Sequence, residues 1–451
     1  MTISMTSTKI RLILGAALAL LITIPSPAQK KKNVNYDESK VGTYTLEDPL
    51  TFVNGRKVRN ASDWEKRRQE ILSIFESEMF GKMPEAMPVY TETIDDAVTL
   101  AGFGHRRQVR MWFREDHSGP HIDWLIVTPT WVEGPMPTVI MLNYNGNHAL
   151  LPDPEIVISE GWFRSSEKFG VEDHHTTDKC RGILAGPQTH DTVYPIGMLL
   201  ARGYAFVTAC YADISPDPDR NEFNDRAKQE AFARSQGVFE LWEPADPQRD
   251  DNTTSIAAWG WALSRGMDMI EADPLLDQSK VVLTGYSRLA KAALVAGAFD
   301  DRFPVVVPVQ TGGGGVPLAK RNFGETITTE VDAFPHWFCR AYDKYAGHED
   351  TMPFDQHMLI SCVAPRALLV EGFDQGWFDT KGEFLSVQAA SPVWKKLGRG
   401  ALPKGLEWPI PDYDTRAIGD NLGYVRRDNG HGISWADWVW MLDFADRNLG
   451  L

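Results

Sequence analysis

The chain has 451 residues, 43% of them hydrophobic, and a formal charge of −15. So acidic a balance argues against general affinity for nucleic acid or anionic lipid and favours solubility. Its four cysteines are too few and too scattered for a disulfide scaffold, although Cys180 and Cys339 could pair in an oxidising compartment.

In chain order, the first segment is a targeting signal. Lys9 and Arg11 precede an apolar run over residues 12–24, and Ser26-Pro27-Ala28 offers small residues at a signal-peptidase site. Cleavage after Ala28 removes two positive charges and leaves residues 29–451 as a single domain. No later stretch reaches the roughly 18 apolar residues of a membrane span. The mature protein is therefore expected to be secreted or periplasmic, free of the membrane, and a monomer.

Ala61-Ser62-Asp63-Trp64 then opens a helix-like run ending near Phe80, with Ser62 or Asp63 as its cap. Residues 107–113 and 122–128 read as an antiparallel pair at a sheet edge. Residues 138–142, 204–208, 281–284, 305–309 and 367–370 are short apolar runs suited to strands buried on both faces. Helical periodicity separates several of them: residues 255–271 and 289–298 lie between strands, and 434–448 closes the chain. Alternation of this kind predicts an α/β fold with a mostly parallel sheet, helices on both faces and long inserted loops. The insertions are residues 145–195 and 213–252, polar and aperiodic; in an open α/β sheet such segments gather where ligands bind.

The sharpest chemical signal is Gly285-Tyr286-Ser287-Arg288-Leu289-Ala290-Lys291, preceded by an apolar strand and followed by an alanine-rich helix. A tight strand–Ser–helix turn projects Ser287 Oγ above the sheet beside amides that favour negative charge. Leu289 stands where G-x-S-x-G has its last Gly, and a plain helix-capping Ser is the bland alternative. The α/β-hydrolase fold implied by this turn needs a His after the last strand. Asn429-Gly430-His431-Gly432 offers one directly before the terminal helix, where glycines let the backbone present an imidazole as general base. Asp374, just past the run 367–370, is the expected acid that orients this imidazole; Asp379 is its competitor.

Two other clusters point elsewhere. Asp173-His174-His175 and His190 suggest a metal site only weakly, because adjacent His residues rarely present both rings to one ion and no known zinc spacing is present. Thr311-Gly312-Gly313-Gly314-Gly315 lacks the Lys-Ser/Thr of a phosphate loop and reads as a flexible loop beside a strand end. Neither a metal nor an organic cofactor is expected.

The Ser287 segment resembles the G-C-S-R-x-G-K segment of glucuronoyl esterases. Further pieces match in order: Leu142-Asn143-Tyr144-Asn145-Gly146-Asn147-His148, Arg321-Asn322-Phe323-Gly324-Glu325-Thr326, Phe334-Pro335-His336-Trp337-Phe338, Asp355-Gln356-His357-Met358-Leu359, Ala364-Pro365-Arg366, the Trp377 loop with Lys381-Gly382-Glu383-Phe384, and His431-Gly432-Ile433. The resemblance covers nearly the whole mature chain. It implies a serine esterase that cleaves esters between 4-O-methyl-glucuronic acid side chains of xylan and lignin alcohols. It further implies that Arg288 holds the oxyanion and that Lys291, Glu325 and Trp377 contact the glucuronate ring. Two departures stand out: Ala290 replaces the motif Gly, and Gln310 follows the run 305–309 where many members carry a catalytic Glu. Gln310 cannot act as a charged orienter, so its replacement by Ala is expected to be mild, and Gln310→Glu to rescue Asp374→Asn in part. The alternatives are an acetyl-xylan or other carbohydrate esterase and a catalytically silent polysaccharide-binding relative.

Overall fold

The apolar runs become strands of one nine-stranded sheet. In the computed structural model, which describes residues 34–185, 193–373, 376–411, 417–428 and 430–451, the strands are β1 (Tyr90–Thr99), β2 (Gly104–Trp112), β3 (His121–Pro129), β4 (Met136–Asn143), β5 (Val171–Glu172), β6 (His175–Thr176), β7 (Ala205–Cys210), β8 (Leu276–Tyr286), β9 (Val305–Val309), β10 (Ala367–Phe373) and β11 (Leu422–Arg427). The large sheet runs β1-β2-β3-β7-β4-β8-β9-β10-β11, and β5 pairs with β6 alone. Pairings from β1 to β7 are antiparallel, and those from β7 to β11 parallel. The signal-peptide reading of residues 1–28, His190, Asp374 and Asn429 lie outside the described residues.

The α-helices are α1 (Ala61–Phe75), α2 (Ile196–Ala201), α3 (Tyr211–Ile214), α4 (Arg226–Ala233), α5 (Ser255–Ala272), α6 (Arg288–Phe299), α7 (Ile327–Ala333), α8 (Gln356–Ser361), α9 (Thr380–Lys396) and α10 (Trp435–Leu449). Side chains alternate across a strand, and the two faces of the sheet feed two cores. Ile140 and Leu283 pack with Leu263 of α5 and Leu294 of α6, whereas Val139 and Val282 pack with Leu199 of α2 and Met441 of α10. Burial on both faces is why these strands are short and continuously apolar. Residues Asn35–Leu451 form one compact unit by their contacts. Among the described residues, no helix is long and apolar enough to cross a membrane.

Several expectations need correction. The sheet edge is β1, not the β2–β3 pair; β1 carries Asp95 and Asp96, is largely open to solvent, and so lacks an apolar signature. α1 is capped by Asn60, whose side chain accepts from the Asp63 amide, rather than by Ser62 or Asp63. Cys180 and Cys339 do not pair: all four cysteines are free and buried. The Cys180 thiol lies against the Asn145 carbonyl, while the Cys339 amide bonds to Met79 O in a separate part of the core. His174 stacks on Trp162 with ring centroids 4.7 Å apart, and its Nδ1 lies 2.9 Å from the Phe163 carbonyl, so its ring is committed to packing.

Candidate active site

β8 delivers the chain to Ser287, which adopts φ 58° and ψ −129° before α6 begins at Arg288. A positive φ on a non-glycine residue is costly and clusters at functional sites. The turn is held by the Ser287 amide donating to Val309 O at 3.0 Å. A Cβ on Gly285 would collide with the Leu289 carbonyl, so the glycine lets helix and strand approach; the missing last Gly of the motif matters less, because Leu289 is buried in the core. The Tyr144 phenol braces the turn, donating to Tyr286 O at 2.7 Å, and burial pushes its pKa up to about 12.

His431 arrives from the loop between β11 and α10, and its Nε2 lies 3.2 Å from Ser287 Oγ. The imidazole sits among Phe378, Tyr286 and Phe373, with ring centroids 4.5, 4.7 and 5.3 Å away. Burial, then the charges of Arg288, Lys291 and Arg427, push its pKa down to about 3, so the ring is neutral and able to accept a proton. Its Nδ1 has no hydrogen-bond partner among the described residues. Asp374 follows Phe373 directly in the chain. Its competitor Asp379 is committed elsewhere: Arg321 Nε donates to it at 2.7 Å, and it caps α9 through the Gly382 amide.

Gln310, read from the sequence as unable to act as a charged orienter, is hydrogen-bonded to the His431 loop. It is buried with φ 52°, its Nε2 donates to Gly432 O at 3.0 Å, and its Oε1 accepts from Gly432 N at 2.9 Å. Arg427 donates to the same carbonyl. The amide thus clamps the backbone beside His431 with a matched donor and acceptor, which a carboxylate could not supply.

Arg288 leans over the Trp337 ring, 4.9 Å from its centroid, and pairs with Asp217. Asp217 is buried; it also accepts from Arg164 at 2.7 Å, His336 at 2.9 Å and the Trp337 indole at 2.8 Å. Burial opposes its ionisation, but Arg164 and Arg288 hold its carboxyl well below the usual range. Sequence reasoning missed Asp217; its only local signal was an Asp between two prolines inside the insertion 213–252.

One turn along α6, Lys291 is buried, its Nζ 4.0 Å from Glu325 Oε2 and 4.7 Å from the Trp337 centroid. Glu325 accepts from the Gly313 amide at 3.1 Å, and its own amide donates to Trp377 O at 2.7 Å, tying the Trp377 segment to the same corner. The segment 311–315 is therefore no free loop. A Cβ on Gly312 would lie 2.5 Å from Glu325 Oε2, so the run is closely packed. Tyr144, Phe163, Arg164, Tyr211, Ser287 and His431 help to line an adjoining cavity of about 550 Å³, much of it built by the insertion 145–195.

Sheet order, strand–Ser–helix turn and the His before the last helix together define an α/β-hydrolase. The family model described as "Glucuronyl esterase, fungi" matches residues 221–398. The chain is 36% identical to "Carbohydrate esterase MZ0003" of an unknown prokaryotic organism over 94% of each chain. It is 31% identical to a 4-O-methyl-glucuronoyl methylesterase of Schizophyllum commune, over 78% of this chain and 74% of that one. The glucuronoyl esterase structure from Solibacter usitatus superposes with a TM-score of 0.80 at 33% identity, covering 91% of this chain and 100% of the other. The chain belongs to the glucuronoyl esterase family, and by that membership is an esterase.

Proposed function

We propose that the protein hydrolyses esters between 4-O-methyl-glucuronic acid side chains of xylan and lignin alcohols by two-step acyl transfer through Ser287. The observation that carries this reading is a neutral imidazole 3.2 Å from Ser287 Oγ, with Lys291 one turn along α6 and 4.0 Å from Glu325, a pair suited to sugar hydroxyls. His431 takes the Ser287 proton as Oγ attacks the uronoyl carbonyl. Arg288, held by Asp217, and the amide at the start of α6 stabilise the oxyanion. His431 then gives its proton to the leaving alcohol, and water repeats the sequence to release the uronic acid. Lys291, Glu325 and Trp377 receive the glucuronate ring. Asp374 orients the imidazole through Nδ1, the ring atom that lacks a partner among the described residues.

The chain acts as a monomer, made as a precursor and exported to the periplasm or medium; the N-terminus of exported protein should be Gln29. Two substrates test the activity. Benzyl D-glucuronate should be hydrolysed with a higher kcat/KM than acetylated xylan, and Ser287→Ala should abolish both. Preference for the acetyl ester would move the acyl specificity to an acetyl-xylan esterase, and turnover by Ser287→Ala would remove the serine mechanism.

A further inference from the structure

Beneath the proposed sugar site lies a second carboxylate. Glu330 of α7 is buried, and neither of its oxygens accepts a hydrogen bond among the described residues. Its cationic neighbour is Lys291, at 3.3 Å, closer than the 4.0 Å that separates the same ammonium from Glu325. One lysine therefore stands between a carboxylate at the site and a carboxylate in the interior, and leans inward. The glycine run makes this possible: a Cβ on Gly314, which has φ +63°, would lie 2.9 Å from Glu330 Oε1.

A buried carboxylate whose close contact is one shared ammonium is expensive to ionise. Burial pushes the Glu330 pKa well above the usual carboxylate range, with Lys291 working against that rise and Glu325 adding to it. The groups facing it are Lys291 from α6, Glu325 from the segment before α7, and the Tyr342 phenol from the short helix Arg340–Tyr345. With Glu330 protonated, Lys291 and Glu325 form a neutral pair that offers donors and an acceptor to vicinal hydroxyls. With Glu330 ionised, the ammonium is shared between two carboxylates and drawn from the sugar.

We propose that Glu330 is a positioning residue that competes with the substrate's sugar for Lys291 and so sets how tightly the uronate ring is held. The proposal rests on the reading of Lys291 as a sugar contact, and it adds a group that touches no substrate. Its signature is a Michaelis constant that depends on pH for the glucuronate ester alone, because an acetyl ester makes no use of Lys291.

The test is steady-state kinetics of wild type, Glu330→Gln and Lys291→Ala on benzyl D-glucuronate and 4-nitrophenyl acetate, from about pH 6 to about pH 9.5. The wild-type KM for the glucuronate ester should rise by about tenfold toward alkaline pH, a change of about 1.4 kcal/mol in binding, with kcat much less affected. Glu330→Gln should hold a low and flat KM, and both proteins should be flat on the acetyl ester. A flat wild-type profile, or a Glu330→Gln profile with the wild-type slope, overturns the proposal. Lys291→Ala with a normal KM on the glucuronate ester would instead overturn the underlying site reading. Glu330→Leu, which also removes the charge, replaces Glu330→Gln if that variant does not fold. Should neither fold, the wild-type profile decides alone: a rise confined to the glucuronate ester supports the proposal, and a flat one overturns it.

Discussion

His431 has one nitrogen on Ser287 and the other without a partner among the described residues, in a box of three aromatic rings. A base held this way needs a carboxylate to fix its tautomer and stabilise the imidazolium. In the sequence Asp374 follows Phe373, the last residue of β10, whose ring centroid lies 5.3 Å from that of the imidazole. Asp374→Asn should therefore lower kcat by about 10⁴. Asp379→Asn should act on folding instead, because Asp379 and Arg321 form a buried pair with side chains 4% and 2% exposed. Breaking such a pair costs about 3–5 kcal/mol, visible as a lower Tm. A stable but inactive Asp379→Asn beside an active Asp374→Asn would exchange the two roles. Residue chemistry was only partly legible in the sequence. Ser287 and His431 could be read from local context, since a strand–Ser–helix turn and a Gly-His-Gly loop are short-range patterns. Lys291, Glu325 and Trp377 came through family resemblance. Asp217 and Glu330 stayed hidden, because a buried charge is defined by partners distant in the chain: Arg164 and His336 for one, Lys291 for the other.

At the scale of elements, the proposed Ser287–His431 pair depends on how β8 and β11 present their following loops and on how β9 braces them. Gln310 leaves β9 and grips Gly432 through both backbone groups, fixing the His431 loop against the sheet. Truncating it would leave the buried Gly432 amide without its acceptor, while the carbonyl keeps Arg427, at a cost of about 1–3 kcal/mol, or roughly 5- to 150-fold. Gln310→Ala should show that loss mainly in kcat, measured on benzyl D-glucuronate. Gln310→Glu should fail to rescue Asp374→Asn, since its carboxylate would face the Gly432 carbonyl rather than the ring. Wild-type kcat in Gln310→Ala would mean that the loop holds itself. The same scale explains which elements the sequence revealed. Central strands such as β4 and β9 are buried on both faces and read as apolar runs. β1 is polar and exposed, and α9 contains Gly382 and Pro392, so neither carried the signature of its class.

For the whole molecule, acid and base sensitivity follow from two sets of buried groups. His431, His148 and His336 have pKa values pushed below 6.5 by burial, so the unfolded chain takes up protons that the folded one refuses, and stability falls as pH drops below 6.5. Glu371 and Glu383 have pKa values raised above 4.5 by burial, so their contribution is present below 4.5 and lost as pH rises. The two trends oppose each other between 4.5 and 6.5 and leave one acting alone outside that window. Tm should peak in that mildly acidic window, and a Tm still climbing at about pH 8 would contradict this balance. The α/β architecture itself was legible early, because alternating apolar runs and helical periodicity reflect a sheet covered on both faces.

The most direct measurement of the central claim, an esterase whose serine works beside a uronate-recognising lysine, is kcat/KM of Lys291→Ala on two substrates. Losing a buried hydrogen-bonding partner typically costs about 1–3 kcal/mol, or roughly 5- to 150-fold. Activity on benzyl D-glucuronate should fall by that factor, while activity on 4-nitrophenyl acetate should stay within about twofold of wild type. Equal losses on both esters would contradict a sugar-recognition role for the site beside Ser287.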